Sequence, residues 1–252
     1  MEINVRDIFP SEYMLRHVYQ EDFEKVKTII QSVKTFAKSS HQYIYLLDYY
    51  NQKFIYTSDK LVAWCGKVCI ETLQSDFRFF WEHIPEEDQK MIMEVNKIGI
   101  DFYNNLIPEE RVNYTISFDF YFRNKHISRL VNHKLTPIML APDGHVWLAL
   151  GVIEMSANKT SGNIMVQKEG KSSFYLYDYK KHSWSEELTI HLNEVEQLII
   201  TFSAQGYTVD EIANKICLSI DTTKGIKKKL FKKLGVSSIA EAITYAVNYR
   251  LI

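Results

Sequence analysis

The sequence predicts an α+β protein of two domains: an antiparallel sheet with helices, followed by an all-α domain of four short helices. Three observations support this prediction. Residues 41–157 alternate between strand-like and helical apolar patterns, residues 158–185 are rich in loop-forming residues, and residues 186–252 have almost only helical patterns. With 252 residues, the chain is long enough for two domains that each bury a core.

The composition narrows the class of protein. Hydrophobic residues make up 46% of the chain and charged residues 24%, which is typical of a folded globular protein. The 30 basic and 31 acidic residues nearly cancel, which argues against a histone-like binder but allows a local basic patch. Three cysteines are too few for a disulfide framework. Without a signal-peptide pattern or a run of 18 apolar residues, we expect a cytoplasmic protein with no membrane span.

The N-terminal elements begin with a helix. Residues 1–40 are predicted to be a helical segment, because apolar residues between Glu21 and Phe36 recur at helical spacing. Two strands are predicted next, at Gln42–Asp48 and Lys53–Thr57, joined by a hairpin connection.

The remaining elements of this domain are helical and then strand-like. Pro85, followed by three acidic residues, marks the start of a long helix, since proline and negative charge favour a helix N-terminus. Three long strands are predicted at Val112–Phe122, Ile127–Leu140 and Val146–Met155. A turn at residues 142–144 separates the last two, because proline sets φ and glycine supplies a positive φ.

This order of strand, strand, helices and three strands is the order of a PAS domain, and residues 41–157 resemble that family. The HIPEED segment at the helix start and the APDGHVWLALGVIEMS segment at the last hairpin strand are similar to its pattern. The resemblance implies a PAS-like domain that senses a signal or mediates dimerisation. No cofactor is predicted, because no cofactor motif is present, and the identity of any small-molecule ligand stays open. The alternative is an unrelated α+β domain.

Residues 158–185 are predicted to be a linker. The segments SANKTSGN and QKEGKSS have loop compositions. The FYLYDY run that follows them, within the same stretch, is predicted to form one more strand. The histidines of the N-terminal half are scattered, which favours surface or core positions over haem ligation. The motifs G-x-S-x-G, H-E-x-x-H and the P-loop are absent, so we expect no enzyme and no metal site.

The C-terminal domain shows repeated helix signals. Capping boxes, in which a polar N-cap residue is followed three positions later by a glutamate, are predicted at Asn193, Thr208 and Ser238. Ser219 is a further N-cap without the glutamate. Gly206 and Gly235 stand where a left-handed residue ends a helix. Together these signals predict four helices in the C-terminal domain. They are near 193–204, 209–217, 220–234 and 238–250.

The helix near 220–234 has an apolar face and a lysine face. From Thr222 to Leu234 there are six lysines and no acidic residue. On an ordinary solvated helix, lysine is interleaved with glutamate at a spacing of four, because unbalanced like charges repel. The bias therefore predicts an anionic partner and favours nucleic acid over the alternative of a solvated face. The preceding helix is joined to this one by a short turn, which is a helix-turn-helix arrangement.

Residues 192–252 resemble the LuxR-type helix-turn-helix family of bacterial transcription regulators. The resemblance is carried by LNEVEQLIITFSAQGYTVDEIA, LSIDTTKGIKKKLFKKLGV and SSIAEAITYAVNYRLI, a match of about 60 residues without a gap. Three positions depart from the family pattern. Thr223 stands where the family usually has valine, Gly225 where a larger residue is usual, and Ile226 where histidine or tyrosine is common.

The resemblance implies that the second helix of the pair enters the major groove of double-stranded DNA. It places base reading at Lys224, Gly225 and Lys228. Contacts to phosphates or groove edges are expected from Ser219, Thr222, Lys227, Lys229 and Lys232.

The resemblance also implies a homodimer that forms through the last helix, and it leaves open a contact with RNA polymerase. The candidate dimer residues are Tyr245, Val247, Asn248 and Leu251. The sequence therefore predicts a sequence-specific, DNA-binding transcription regulator. The alternative is a signalling module that binds a small molecule or a protein and uses its helical domain for protein contacts, not for DNA.

Overall fold

The computed structural model describes residues 22–65, 80–124, 127–249 and 251–252. The chain forms two compact units, with the boundary between Glu186 and Glu187. The predicted helical segment before residue 22 lies outside the described residues. Within the described ranges, no helix combines the length and the apolar character needed to cross a bilayer.

The N-terminal unit combines helices with one long sheet. Its described helices are α1 (Asp22–Ser39), α2 (Asp59–Trp64) and α3 (Glu86–Asn104), and a 3-10 helix covers Pro108–Asn113. The strands are β1 (Tyr43–Asp48), β2 (Lys53–Thr57), β3 (Tyr114–Asn124), β4 (Ile127–Leu140), β5 (Val146–Met155), β6 (Gly162–Lys168), β7 (Ser173–Asp178) and β8 (Ser183–Leu188). The two predicted strands before α2 and the three after α3 are all present, with ends displaced by at most two residues.

The eight strands form a single sheet in the order β2-β1-β5-β4-β3-β6-β7-β8. Pairing is antiparallel from β2 through β7. The central strands β3, β4 and β5 are the longest, with 11, 14 and 10 residues.

The stretch from 158 to 185 differs from the predicted linker. It contains β6, β7 and the start of β8, so three strands extend the sheet where the sequence predicts one. Ile164 and Val166 are buried, and β6 pairs with β3 over most of its length. The loop-like segments are the turns at the ends of these strands. Their composition dominates the pattern because the strands between them are only six or seven residues long.

The core of the N-terminal unit is rich in aromatic residues on one face of the sheet. Phe118, Phe120 and Phe122 alternate along β3 and are each at most 2% exposed. Trp64 stacks on Phe122 with ring centroids 4.0 Å apart, and Val95 of α3 is buried in the same cluster. These contacts cover the face of the sheet that α3 packs against.

Gly151 allows a close approach of a ring to the sheet. It pairs with Tyr45 across β1 and β5. A Cβ atom at this position would lie 2.1 Å from Cζ of Tyr45, which no side chain tolerates. The absence of a side chain at Gly151 therefore lets the Tyr45 ring lie over β5.

The opposite face of β3 holds a buried carboxylate. Asp119 is 0% exposed and accepts hydrogen bonds from the amide groups of three asparagines. Asn132 Nδ2 donates to Oδ1 at 2.9 Å, and Asn158 and Asn163 donate to Oδ2 at 2.5 and 2.8 Å. Because Asn132 lies on β4 and the other two flank the start of β6, this cluster ties three parts of the sheet together.

The C-terminal unit is helical. Its helices are α4 (Glu194–Ala204), α5 (Val209–Lys215), α6 (Ile220–Leu234) and α7 (Ile239–Asn248). Ile199, Ile200, Leu230 and Ala246 are 0% exposed and lie in one apolar cluster. Leu251, which the sequence places at a dimer surface, is buried in this same cluster, because the chain after α7 turns back and donates from Leu251 N to Ala246 O.

The predicted helix signals are confirmed at most ends. Capping boxes are present at Asn193 and Thr208, and Gly235 adopts a left-handed conformation with φ of 67°. The start of α7 differs from the predicted capping box in one hydrogen bond. Ser238 accepts from Glu241 N as predicted, but the Glu241 carboxylate accepts from Ser237 N, one residue earlier than a capping box requires.

Candidate nucleic-acid interface

The turn between α5 and α6 is closed by backbone hydrogen bonds. Leu218 N donates to Ala213 O at 3.0 Å, and Cys217 N donates to Asn214 O at 3.3 Å, which is the Schellman pattern of a helix end. Cys217 occupies the left-handed position with φ of 55°, where glycine is usual. The turn therefore holds α5 and α6 as a helix-turn-helix pair.

The N-terminus of α6 is capped by Ser219. Its hydroxyl oxygen accepts from Thr222 N at 3.1 Å and lies 2.7 Å from the Thr222 hydroxyl. Both residues are exposed. The two predicted phosphate-contacting hydroxyls thus form one hydrogen-bonded group at the start of the helix.

The buried face of α6 explains one departure from the family pattern. Thr223 is 1% exposed, and its hydroxyl donates to Ser219 O at 3.0 Å. Threonine has the branched shape of valine, so it fills the same core position while its polar atom is satisfied by the preceding turn. Ile226, at another departure, is half-buried against the C-terminal core.

The exposed face of α6 carries most of the predicted site residues. Lys224, Lys228 and Lys232 form a stripe at a spacing of four residues, and Lys229 lies beside it. All four are exposed, and none makes an ion pair within the described part of the chain. The structure thus brings four uncompensated positive charges together on one helix face.

Lys227 lies at the border of this face. It is half-buried, and its Nζ lies 5.9 Å from the ring centroid of Phe231. The stem of the side chain covers the aromatic ring while the ammonium group stays near the surface. This is the arrangement that the helical wheel predicts for the residue.

Lys233 differs from the other lysines of α6. Its Nζ donates to Glu196 Oε2 at 2.6 Å, and the side chain of Glu196 is only 10% exposed. The same carboxylate oxygen accepts from Asn193 N in the capping box of α4. Lys233 therefore holds α6 to α4 and is not part of the free lysine face.

Gly225 lies between Lys224 and Lys228 on the exposed face. No atom lies within 4 Å of the place where its Cβ would be, and its φ is not positive. Neither packing nor backbone geometry within this domain requires a glycine. Glycine in a helix costs about 1 kcal/mol relative to alanine, so this residue lowers the stability of α6. What it provides is a point on the lysine face that has no side chain.

The C-terminal unit matches a known family. The model for bacterial regulatory proteins of the luxR family (GerE) matches residues 191–246. The C-terminal unit is a LuxR-type helix-turn-helix domain. The matched range covers α4, α5, α6 and most of α7, so the lysine face lies within it. The departures at Thr223, Gly225 and Ile226 are local and leave the LuxR-type architecture in place.

Curated relatives share this part of the chain. The Fimbriae Z proteins of Escherichia coli strain K12 and of Escherichia coli O157:H7 are each 36% identical over 78 residues. The alignment spans 31% of this chain and 37% of each relative. The chain thus spans little more than a third of the length of these relatives.

Solved structures show a weaker likeness over more of the chain. The VqmA dimer of Vibrio cholerae in the absence of target DNA aligns with 14% identity and a TM-score of 0.35, covering 87% of each chain. The phage VqmA–DPO complex aligns with 15% identity and a TM-score of 0.35, covering 91% of this chain and 92% of that one. Similarity at this level does not establish a shared overall fold.

The sequence prediction missed a second group of polar residues, in the N-terminal unit. Tyr45, Trp81 and His133 line a cavity beside α3, and they come from segments far apart in the chain. The available signal was weak. His133 is a polar residue at an inward-facing position of a strand whose neighbours on that face are apolar. Within the described ranges, no group of three or more His, Cys, Asp or Glu side chains could hold a metal ion.

Proposed function

We propose that the chain is a transcription regulator that binds double-stranded DNA in a sequence-specific manner through the exposed face of α6. The observation that supports this most is a set of four exposed lysines on the second helix of a LuxR-type pair, none of which has an acidic partner among the described residues. In this proposal Lys224 and Lys228 donate to base edges, with guanine O6 and N7 as the preferred acceptors. Gly225 lets the helix backbone approach the groove.

The remaining site residues position the helix on the DNA backbone. Phosphate contacts are assigned to Ser219, Thr222, Lys227, Lys229 and Lys232. Such contacts give affinity and salt dependence but carry no sequence information, because every base pair presents the same phosphates. Lys233 is left out of this set, since its ammonium group is bound by Glu196.

The N-terminal unit is proposed to contain a PAS-like domain at residues 41–157 that senses a signal or mediates dimerisation. The order of two strands, helices and three strands in the described residues supports this interpretation. We further propose a homodimer that uses exposed residues of α7, of which Val247 is 55% exposed. Such a regulator acts in the cytoplasm, where the bacterial chromosome lies, and RNA polymerase is its expected protein partner.

The decisive experiment is a binding titration with duplex DNA selected from a random pool by the full-length protein. Lys228→Ala should weaken binding to the selected site by about 1–3 kcal/mol and relax the base preference at one position. Lys232→Ala should weaken binding to all duplexes alike and reduce the salt slope by about one unit. Lys180→Ala, at an exposed turn of the N-terminal unit, is the control with the same charge change.

The alternative is that the lysine face of α6 contacts an acidic protein surface. It predicts that the full-length protein binds duplex DNA no more tightly than the Lys224→Ala, Lys228→Ala double variant does, even at low salt. That result would contradict the proposal. Selection of a single recurring sequence, lost in the double variant, would exclude a function through protein contacts alone.

A further inference from the structure

A cavity lies in the N-terminal unit between α3 and the aromatic face of the sheet. Its walls include Tyr45, Trp81, Ile92, Phe118, Phe120 and His133. The space between the lining side chains is about 490 Å³ when its mouth is included, and the centre of a water-sized molecule can occupy about 40 Å³ of it. The cavity is therefore a narrow slot between mostly aromatic walls.

The hydrogen bonds of His133 specify its tautomer. Its Nε2 lies 2.5 Å from the Tyr45 hydroxyl, and its buried Nδ1 has no hydrogen-bond partner among the described residues. If Tyr45 donates to Nε2, only the Nδ1–H group is left without a partner. If Nε2 carries the proton instead, both Nδ1 and the Tyr45 hydroxyl hydrogen are left unsatisfied. Because each unsatisfied buried polar group costs free energy, the first arrangement is favoured and Nδ1 is a donor.

His133 stays neutral in this site. Burial lowers its pKa to about 3, and burial of the Tyr45 hydroxyl raises the pKa of that phenol. Tyr45 is positioned for this bond by Gly151, which leaves room for its ring over β5. The pair is thus a fixed, uncharged donor group whose free N–H belongs to a cavity wall.

Trp81 supplies a second donor of the same kind. The residue is 6% exposed, its Nε1–H is buried, and no acceptor for it exists within the described ranges. Trp81 lies just before α3, whereas His133 lies on β4, so the two donors that line the cavity come from different elements of the fold. Buried N–H groups in folded proteins nearly always have a partner, and two on one cavity indicate an acceptor that the described residues do not provide.

We propose that this cavity binds a small, uncharged, planar ring that carries hydrogen-bond acceptors for His133 Nδ1–H and Trp81 Nε1–H. The aromatic walls favour a flat ring, which fits a narrow slot and stacks on them. Among the described lining residues there is no Lys, Arg, Asp or Glu, so a charged ligand would lose its hydration without an ionic partner from them. The inference rests on the sensing role proposed for the N-terminal unit and names the ligand class for it.

A pair of probes of equal shape tests the donors. Pyridine and benzene differ by one ring nitrogen, which at pH 8 is an unprotonated acceptor. Each is titrated into the full-length protein labelled with ¹⁵N, and the indole N–H resonances of the four tryptophans are followed. Pyridine should bind about 2- to 10-fold more tightly than benzene, the factor expected for one net hydrogen bond. It should also move the Trp81 indole proton further downfield than benzene does, because both rings exert a ring-current shift but only pyridine accepts a hydrogen bond from that proton.

Two variants separate a donor site from a plain apolar slot. Trp81→Phe keeps an aromatic wall and identifies the Trp81 resonance by its disappearance. His133→Leu removes the imidazole donor without adding another N–H group, as glutamine would. The preference for pyridine should fall towards 1 when both changes are combined. Equal affinity for the two probes in the unaltered protein, or no binding of either, would overturn the inference.

The outcome is independent of the DNA-binding proposal. Lys228→Ala should leave the affinity for pyridine unchanged, because α6 belongs to the other compact unit. Failure of the probes to bind, with intact selection of a duplex sequence, would remove the ligand class alone. Failure of DNA binding, with pyridine bound as expected, would remove the proposed regulator and leave the cavity as a binding site.

Discussion

The two faces of the β3–β4 strand pair each bury a polar side chain, but with different surroundings. Asp119 faces Asn132 on one side, and His133 faces Phe118 on the other. Asp119 has three amide donors, whereas the Nδ1 of His133 has no acceptor within the described residues. A fully satisfied buried group stabilises the fold, and an unsatisfied one on a cavity wall is a candidate binding group.

The same distinction divides the lysines of α6. Lys233 is held by the nearly buried Glu196, whereas Lys228 is exposed and makes no ion pair among the described residues. Both belong to one run of like charge, and sequence alone does not separate their roles. The comparison predicts that changes at satisfied groups lower stability and that changes at unsatisfied groups alter binding.

The largest expected effect is at the satisfied carboxylate. Asp119→Ala should lower the free energy of unfolding by about 3 kcal/mol, because it removes a buried acceptor and leaves three amide donors without it. Urea denaturation measures the change. The same truncation at Asp101, an exposed residue of α3, is the control and should cost less than about 0.5 kcal/mol. Equal costs at the two positions would contradict the comparison.

The next effect is a pH dependence that comes from His133. Its pKa is about 3 in the folded protein because of burial, against 6.5 in the unfolded chain, so between pH 6.5 and about pH 3 only the unfolded state gains the proton. Stability from this residue therefore falls with decreasing pH, by about 2 kcal/mol between pH 7 and pH 5. His133→Gln should remove that part of the loss. Unfolding measured at both pH values checks it, and an identical loss in the variant would show that His133 is not buried as a neutral group.

A smaller effect separates the two kinds of lysine. Lys233→Met should lower the free energy of unfolding by about 1.5 kcal/mol, because Glu196 loses a charged partner at a partly exposed site. It should leave the salt slope of duplex binding unchanged. Lys228→Ala should do the reverse, with little change in unfolding and weaker binding. Paired denaturation and DNA titrations of the two variants test this, and a loss of stability in Lys228→Ala equal to that of Lys233→Met would remove the distinction.

The smallest effect concerns the glycine on the lysine face. Gly225→Ala should stabilise the domain by about 0.5–1 kcal/mol, since alanine is the better helix former and no atom lies near the new methyl group. Its binding to the selected duplex should weaken, because the methyl group occupies the point of closest approach. Gly235→Ala is the matched control and should lower the stability of the domain, since the φ of 67° at this position is unfavourable for alanine. A stabilised Gly225→Ala protein with unchanged affinity would remove the role of this glycine in DNA contact.

Much of the LuxR-type domain is predictable from its sequence. The caps at Asn193, Thr208 and Ser219, the ends at Gly206 and Gly235, and the apolar and lysine faces of α6 all depend on residues at most four positions apart. Helical periodicity makes such neighbours meet whatever the rest of the chain does. The strand positions in the N-terminal unit follow from alternation in the same way.

Apart from the Glu241 bond at the start of α7, the failures involve contacts between parts of the chain that local pattern does not connect. The extension of the sheet by β6 depends on its pairing with β3, 43 to 54 residues earlier. A short strand between loop-like turns has too little pattern to show this pairing. The burial of Leu251 depends on the chain turning back after α7. Which tryptophan and which histidine share a cavity depends on the packing of α3 against the sheet.

The sequence by itself therefore determined the order of the elements through β5 and in the C-terminal unit, most helix ends, and the helix face that carries the positive charge. These features arise from hydrogen bonds and periodicity between near neighbours. Only the tertiary structure decided which charges are free and which buried groups lack partners. Lys233 is neutralised by a residue 37 positions away, and His133 meets Tyr45 at a separation of 88. Satisfaction of a polar group is a property of the space around it, and the folded chain creates that space.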